Sequence, residues 1–158
     1  MSIIANLLII FSITCFILAL FDAKPKTYVS NVPNTKLVNE VILFTNVILQ
    51  KKGIKRFPTF RIQYYKHKKW SGYFNNEIVV YLKNHDDIPS LTNTVLHEVG
   101  HYIQSKTQQK EFKKYEEYTE TLGYFNNPFE VDARNFASKW QKECITHLIN
   151  KGVIGIKS

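Results

Sequence analysis

The stretch His97-Glu98-Val99-Gly100-His101 determines how the rest of this chain is interpreted. Two histidines four residues apart project from one face of a helix, about one turn from each other, so both imidazoles can bind one metal ion. Glu98 follows the first histidine and is placed to accept a proton from an attacking water molecule. HExxH on a helix is therefore typical of a catalytic zinc site, with His97 and His101 as ligands and Glu98 as general base.

The residues around this motif predict the helix that it needs. Ser90 is a favourable N-cap, and residues 91–106 contain no proline and a single glycine, Gly100. An apolar stripe at helical spacing predicts the buried face: Leu91, Val95, Val99, Tyr102 and Ile103. The two histidines lie roughly 200° from this stripe, so we expect them to face a cleft. Gly100 costs about 1 kcal/mol relative to alanine and indicates that another element passes close to the helix.

A catalytic zinc site needs a third protein ligand, and the sequence offers several acids. In the pattern HExxHxxGxxH, glycine and histidine would stand where this chain has Gln104 and Thr107, which excludes the metzincin arrangement. Glu130, in a segment that opens a later helix, is our candidate for the third ligand. It also fits the capping-box position of that helix, after Asn127 and Pro128. Five other acids remain open as ligands: Asp132, Glu111, Glu116, Glu117 and Glu120.

Two supporting roles near the metal are also left open by the sequence. Asp132 is a candidate to accept a hydrogen bond from a histidine ligand and thereby fix its tautomer. A tyrosine or histidine is expected to stabilise the oxyanion that forms when water adds to a carbonyl. Four residues are available for that second role: Tyr115, Tyr118, Tyr124 and His147.

HEVGH followed by an ExxA element, Glu130 to Ala133, resembles the gluzincins, in particular the small single-domain ones and the metallopeptidases of phages and mobile elements. The resemblance covers roughly residues 34–142. It implies an α+β fold with a minimal zincin-like core: a supporting helix, a short sheet, the active-site helix, and a C-terminal helix that carries the third ligand. It also implies that the strand before the active-site helix, residues 77–82, is the edge on which an extended substrate docks.

The remaining elements are predicted from hydrophobic periodicity. Residues 34–51 form a supporting helix that ends before Gly53, with a wide apolar face: Leu37, Val38, Val41, Ile42, Phe44, Thr45, Ile48 and Leu49. Residues 60–65 and 77–82 are rich in β-branched and aromatic residues, which predicts a hairpin or two adjacent strands.

Residues 3–21 form a nearly continuous apolar run that is long enough to span a bilayer. No basic residue precedes this run and no good cleavage site follows it, so residues 1–22 are predicted to be a transmembrane anchor or uncleaved signal. Residues 23–158 then form the metallopeptidase domain. Lys24 and Lys26 favour a cytoplasmic location for that domain by the positive-inside rule. Only Cys144 lies beyond the anchor, so this domain forms no internal disulfide.

The formal net charge of +8 is unevenly distributed. Residues 51–69 contain no acid and carry a set of cations that we call the basic strip: Lys51, Lys52, Lys55, Arg56, Arg61, Lys66, Lys68 and Lys69. Its aromatic neighbours include Phe57, Tyr64 and Trp70. An ordinary solvated sheet face is the first interpretation of this strip, contact with anionic lipid the second, and nucleic acid the least favoured.

These features favour a single-pass, membrane-anchored metallopeptidase that holds one Zn²⁺ per chain and hydrolyses a peptide or protein substrate. The alternative hypothesis is a non-catalytic zincin-like binding module that recruits membrane or nucleic-acid partners through the basic strip. The two hypotheses differ in whether Glu98 is needed for function.

Overall fold

The computed structural model describes residues 27–31, 34–68, 71–74 and 76–157, with only the backbone of Phe74. The chain divides into two units, and the one that spans Tyr28–Gly155 contains the candidate metal site. Helices and short sheets are both present, so the predicted α+β class is confirmed. The predicted anchor, residues 1–22, lies outside the described residues. Among those described, no helix has both the length and the apolar character needed to cross a bilayer.

Five α-helices are described in this part of the chain: α1 Asn34–Lys51, α2 Ile88–Thr107, α3 Gln109–Phe112, α4 Tyr115–Leu122 and α5 Pro128–Asn150. The supporting helix α1 has the predicted bounds, and it is followed by Gly53, whose φ of 72° favours glycine. Most of its predicted apolar face is buried, whereas Ile42 and Phe44 are half-buried.

Helix α2 carries the HExxH motif and begins earlier than the sequence analysis expects. Its N-cap is Asp87, whose side chain accepts a hydrogen bond from the backbone N–H of Ser90 at 2.6 Å. The prediction of Ser90 as N-cap is therefore wrong. Pro89 fits the first turn because no intrahelical partner is needed there for the N–H that proline lacks. The five residues of the predicted apolar stripe are all buried, which confirms the face assigned to the core.

The main sheet has three strands, β2 Thr59–Gln63, β3 Ser71–Phe74 and β4 Glu77–Tyr81, in the order β2-β4-β3. Strands β2 and β4 are adjacent and run parallel. Of the two predicted arrangements, a hairpin and two adjacent strands, the structure therefore has the second. β3 pairs with β4 in the antiparallel direction. Because β4 is paired on both sides, the expectation that residues 77–82 form a docking edge is wrong. The two edge strands beside β4 are β2 and β3, and β3 lies in a stretch that the sequence predicts to be a connection.

The core is formed where α1, α2 and α5 pack together and against the sheet. Helices α2 and α5 approach closely at Gly100, where an added Cβ would lie 3.1 Å from Ala133 Cα and 3.3 Å from Ala133 Cβ. The expectation of a close neighbour at Gly100 is thus confirmed. Two further strands, β1 Thr27–Ser30 and β5 Ile154–Lys157, form a separate two-stranded sheet.

Candidate metal centre

Three predicted ligands, His97, His101 and Glu130, lie together between α2 and α5. The Nε2 atoms of the two histidines are 3.1 Å apart. Glu130 Oε2 is 3.2 Å from His97 Nε2, and Glu130 Oε1 is 3.1 Å from His101 Nε2. Glu130 and His101 are buried and His97 is half-buried. This cluster could hold a metal ion.

The chemistry and spacing of these atoms fit a zinc ion. Two imidazole nitrogens and one carboxylate oxygen form a donor set found in catalytic zinc sites, which leave a fourth position open. In a tetrahedral site with metal–ligand distances of about 2.0–2.1 Å, neighbouring ligand atoms lie about 3.3 Å apart. The observed nitrogen–oxygen separations of 3.1–3.2 Å involve both carboxylate oxygens, Oε2 toward His97 and Oε1 toward His101. With one ligand atom from each residue, the three atoms lie within 4.8 Å of one another, so a modest adjustment would close the site around an ion.

The beginning of α5 explains how Glu130 becomes available to the histidines. Asn127 serves as the N-cap, because its side-chain oxygen accepts a hydrogen bond from the Phe129 backbone N–H at 3.0 Å. The same side chain donates to Tyr115 O at 2.9 Å and Thr119 Oγ1 at 2.8 Å, which fixes α5 against α4. Glu130 could have served as a capping-box acid or as a ligand, and the structure has its carboxylate at the two histidines.

The electrostatics of the cluster follow from its buried carboxylate. Burial opposes ionisation of Glu130, but hydrogen bonds from His101, His97 and Tyr115 outweigh it and hold its pKa well below the usual range. Burial likewise opposes protonation of His101. Its hydrogen bond to Glu130 and the charges of Glu98 and Glu130 outweigh burial, so the pKa of His101 is raised.

Glu98 lies on the same cleft as the three candidate ligands. The cleft has a volume of about 1130 Å³ and is bordered by β3, α2, the α3–α4 region and the start of α5. Glu98 is buried and accepts a hydrogen bond from Ser71 Oγ at 2.5 Å. Ser71 stands on the edge strand β3, so this hydrogen bond connects the strand to the predicted general base.

Two of the four candidates for oxyanion stabilisation line the cleft, and the other two do not. Tyr115 donates a hydrogen bond to Glu130 Oε1, and both Tyr115 and Tyr124 line the cleft. Burial and the nearby Glu130 carboxylate raise the pKa of both phenols, so both remain hydrogen-bond donors. Tyr118 instead packs against Phe129, with ring centroids 6.0 Å apart. His147 lies beside α1, 3.7 Å from Glu40, and its ring is tilted against that of Phe44 with the centroids 5.4 Å apart.

The competing acids are not brought to the histidines. Among the described residues, the metal-ligand cluster contains His97, His101 and Glu130 and does not contain Asp132. Asp132 is exposed, and the acceptor beside His101 Nδ1 is Gln104 Oε1, at 2.9 Å. The suggestion that Asp132 orients this histidine is therefore wrong. Glu116 lines the cleft, and the remaining acids considered in the sequence analysis are exposed: Glu111, Glu117 and Glu120.

Three residues of the site were given no functional role from the sequence. Gln104 contacts His101 from three positions further along the helix, a spacing at which side chains meet, so that spacing was an available signal. Arg134 lies one helical turn after Glu130, with its Nη1 3.8 Å from Glu130 Oε2. Ser71 reaches Glu98 across 27 positions of sequence, and no local pattern indicates such a contact.

Comparisons with models of protein families, with curated proteins and with solved structures found no significant match to this chain.

Proposed function

We propose that this chain is a zinc-dependent metallopeptidase of the gluzincin type, built on a minimal zincin-like core. The observation that carries the proposal is the meeting of two helices at one cleft. Helix α2 presents His97 and His101, and α5 presents Glu130 within 3.2 Å of both. Glu98 borders the same cleft, so a candidate base stands beside a candidate metal site.

A zinc ion held by His97, His101 and Glu130, one per chain, would activate a water molecule and polarise the scissile carbonyl. Glu98 accepts the proton of the attacking water and delivers it to the leaving amine. Ser71 holds the Glu98 carboxylate in place through its hydroxyl. Tyr115 and Tyr124 are protonated phenols at the cleft, and either could turn its O–H from Glu130 to the negative charge that develops on the carbonyl oxygen when substrate binds.

The substrate class proposed is an extended peptide or protein segment. Ser71, Gly72 and Tyr73 of the edge strand β3 line the cleft, and an edge strand offers backbone groups to a peptide that adds to the sheet. We propose β3 as the docking edge because it lines the cleft, whereas none of the described residues that line the cleft belongs to the other edge strand, β2. The apolar run of residues 3–21 is proposed to anchor the enzyme in a membrane as a single span, with the catalytic part on the cytoplasmic side.

The proposal is tested by the zinc content of the purified full chain after exhaustive dialysis, measured by elemental analysis. The wild type is expected to retain about one zinc ion per chain, and His101→Ala and Glu130→Ala are each expected to lose it. Asp132→Ala is the matched control, since Asp132 is an exposed acid on the same helix as Glu130. Zinc retained in Glu130→Ala would contradict the proposed ligand set, and a folded wild type without zinc would contradict the proposal altogether.

The second candidate function is a non-catalytic binding module, and the exposure of the basic strip favours it. All described cations of the strip are exposed: Lys51, Lys52, Lys55, Arg56, Arg61, Lys66 and Lys68. Arg61 pairs with Glu77 at 2.8 Å. Reversing the charge of Lys66, Lys68 and Lys69 should abolish partner binding by such a module. A peptidase with the same changes should still cleave a soluble peptide.

A further inference from the structure

We infer that Gln104 is a positioning residue of the metal centre: it fixes the tautomer of His101 and ties that ligand to the backbone that carries Glu130. The inference rests on the metal-binding part of the proposed function and is independent of whether the site hydrolyses peptides. It assigns a role to a buried polar side chain that the sequence motif does not include.

The observation is a pair of hydrogen bonds made by one buried amide. Gln104 lies on α2 and is only 5% exposed. Its Oε1 is 2.9 Å from His101 Nδ1, and its Nε2 donates to the backbone carbonyl of Phe129 at 2.9 Å. Both contacts are buried, so water cannot readily replace either partner.

The direction of these hydrogen bonds determines that Nδ1 of His101 carries a proton. A backbone carbonyl only accepts, so the amide nitrogen of Gln104 must face Phe129 and the amide oxygen must face His101. That oxygen also only accepts, so Nδ1 of His101 carries a proton. Without a metal, Nε2 also donates to Glu130, whereas the neutral ring that binds a metal keeps the Nδ1 proton and has its lone pair on Nε2. In His101 this is the atom that lies 3.1 Å from both His97 Nε2 and Glu130 Oε1.

The same amide also couples the two helices that supply the ligands. Phe129 immediately precedes Glu130, so Gln104 connects a ligand on α2 with the residue next to the ligand on α5. A change that removes the amide leaves the Phe129 carbonyl and the His101 N–H without their buried partners. Groups behind a histidine ligand in this way orient the ring and support metal affinity.

The test is the zinc affinity of the full chain, measured by competition with a chromophoric chelator. Gln104→Ala is expected to weaken zinc binding about 10- to 100-fold. Gln141→Ala is the matched control, because Gln141 also connects α5 to α2, donating to Pro89 O at 2.9 Å. It has no contact with His101 among the described hydrogen bonds, and we expect its zinc affinity to stay within about twofold of the wild type.

A conservative variant separates a positioning role from a loss of packing. Gln104→Glu keeps an oxygen that accepts from His101 Nδ1–H but cannot donate to Phe129, so it should recover zinc affinity relative to Gln104→Ala. In the zinc-loaded wild type, the ring ¹⁵N shifts of His101 should show the proton on Nδ1.

Three results would each overturn the inference. They are wild-type zinc affinity in Gln104→Ala, equal losses of zinc affinity in Gln104→Ala and Gln141→Ala, and a proton on Nε2 of His101 in the zinc-loaded wild type. A wild type that binds zinc but cleaves no peptide would contradict the proposed peptidase and leave the role of Gln104 standing.

Discussion

Glu98 and Glu130 are two buried carboxylates whose surroundings assign them different tasks. Glu130 is held by two histidines, and Tyr115 also donates to it, which keeps it ionised as a metal ligand requires. Glu98 accepts a hydrogen bond from the neutral Ser71 hydroxyl and borders the open cleft. The first carboxylate is suited to bind a cation, and the second is suited to exchange a proton with a substrate.

Glu98→Gln should abolish hydrolysis while the chain retains its zinc. The amide has nearly the same shape and can still meet the Ser71 hydroxyl, but it cannot accept a proton, so we expect kcat to fall by at least about 10²-fold. Cleavage of a peptide mixture and elemental zinc analysis are the measurements. Glu116→Gln is the control, since Glu116 lines the same cleft and is exposed. Unchanged turnover in Glu98→Gln would remove Glu98 from the mechanism.

Tyr115→Phe should lower kcat about 10²-fold with little change in KM if the single O–H of Tyr115 turns from Glu130 to the developing oxyanion when substrate binds. Tyr118→Phe removes a hydroxyl group from α4 at a residue that packs on Phe129 and does not line the cleft. The turnover of this variant should therefore match that of the wild type. The two variants are compared by steady-state kinetics on one peptide. Equal turnover in both variants would mean that Tyr115 does not donate to the oxyanion.

At this scale, sequence pattern identifies the candidate residues whose spacing follows the geometry of a helix. His97, Glu98 and His101 follow from helical geometry, and Glu130 follows from its place in a second helix. Gln104 and Ser71 do not follow in the same way, because their roles depend on which side chains meet in three dimensions. Asp132, the acid nearest to Glu130 in sequence, points away from the site because it lies two residues further around the helix.

At the scale of elements, the close approach of α2 and α5 at Gly100 determines whether the candidate ligands meet. Gly100→Ala gains about 1 kcal/mol of helix propensity but places a methyl group 3.1 Å from the backbone of Ala133. Overpacking of this kind costs about 1–3 kcal/mol, so we expect a net loss of stability. Because Ala133 is one helical turn from Glu130, zinc affinity should fall as well.

This prediction is checked by denaturant unfolding and by zinc competition. The double variant Gly100→Ala with Ala133→Gly removes the Cβ that lies 3.3 Å away and should recover part of both losses. A single variant more stable than the wild type would show that α5 can move aside at no cost.

The C-terminal half of α5 carries Cys144, which is fully buried, and burial raises the pKa of its thiol from 9.0 to about 12. The folded state therefore holds the thiol proton more tightly than the unfolded state. The resulting stabilisation is complete below about pH 9 and is lost as the pH rises toward 12. The unfolding free energy of the wild type minus that of Cys144→Ala should fall by about 1 kcal/mol by about pH 10. A difference independent of pH would contradict this environment for Cys144.

The long amphipathic helices and the two strands rich in β-branched residues, β2 and β4, are predictable here, whereas strand β3 is not. Helix α1 has the bounds expected from its apolar spacing. Strand β3 has four residues and includes Gly72, so it carries too little pattern to be distinguished from a connection. Its absence from the prediction also explains the error about β4, because the central position of β4 depends on β3.

At the scale of the whole molecule, the site is a junction between parts of the chain that are distant in sequence. The cleft lies between the edge strand β3, helix α2 and the segment from α3 to α5. Local pattern cannot specify such a junction, although it specifies the α+β class and the helices that meet there. A ligand that bridges α2 and α5 should therefore stabilise the folded molecule as a whole.

Zinc should raise the melting temperature of the full chain, and a chelator should reverse the rise. Binding to the folded state alone contributes about 2.7 kcal/mol at a free zinc concentration 100 times Kd. For a chain of this size that corresponds to an increase of about 5–10 °C. His101→Ala and Glu130→Ala should show no such increase, whereas Asp132→Ala should respond like the wild type. Equal stabilisation of all four proteins would mean that zinc acts at another site, because only a metal held by both helices links its binding to their packing.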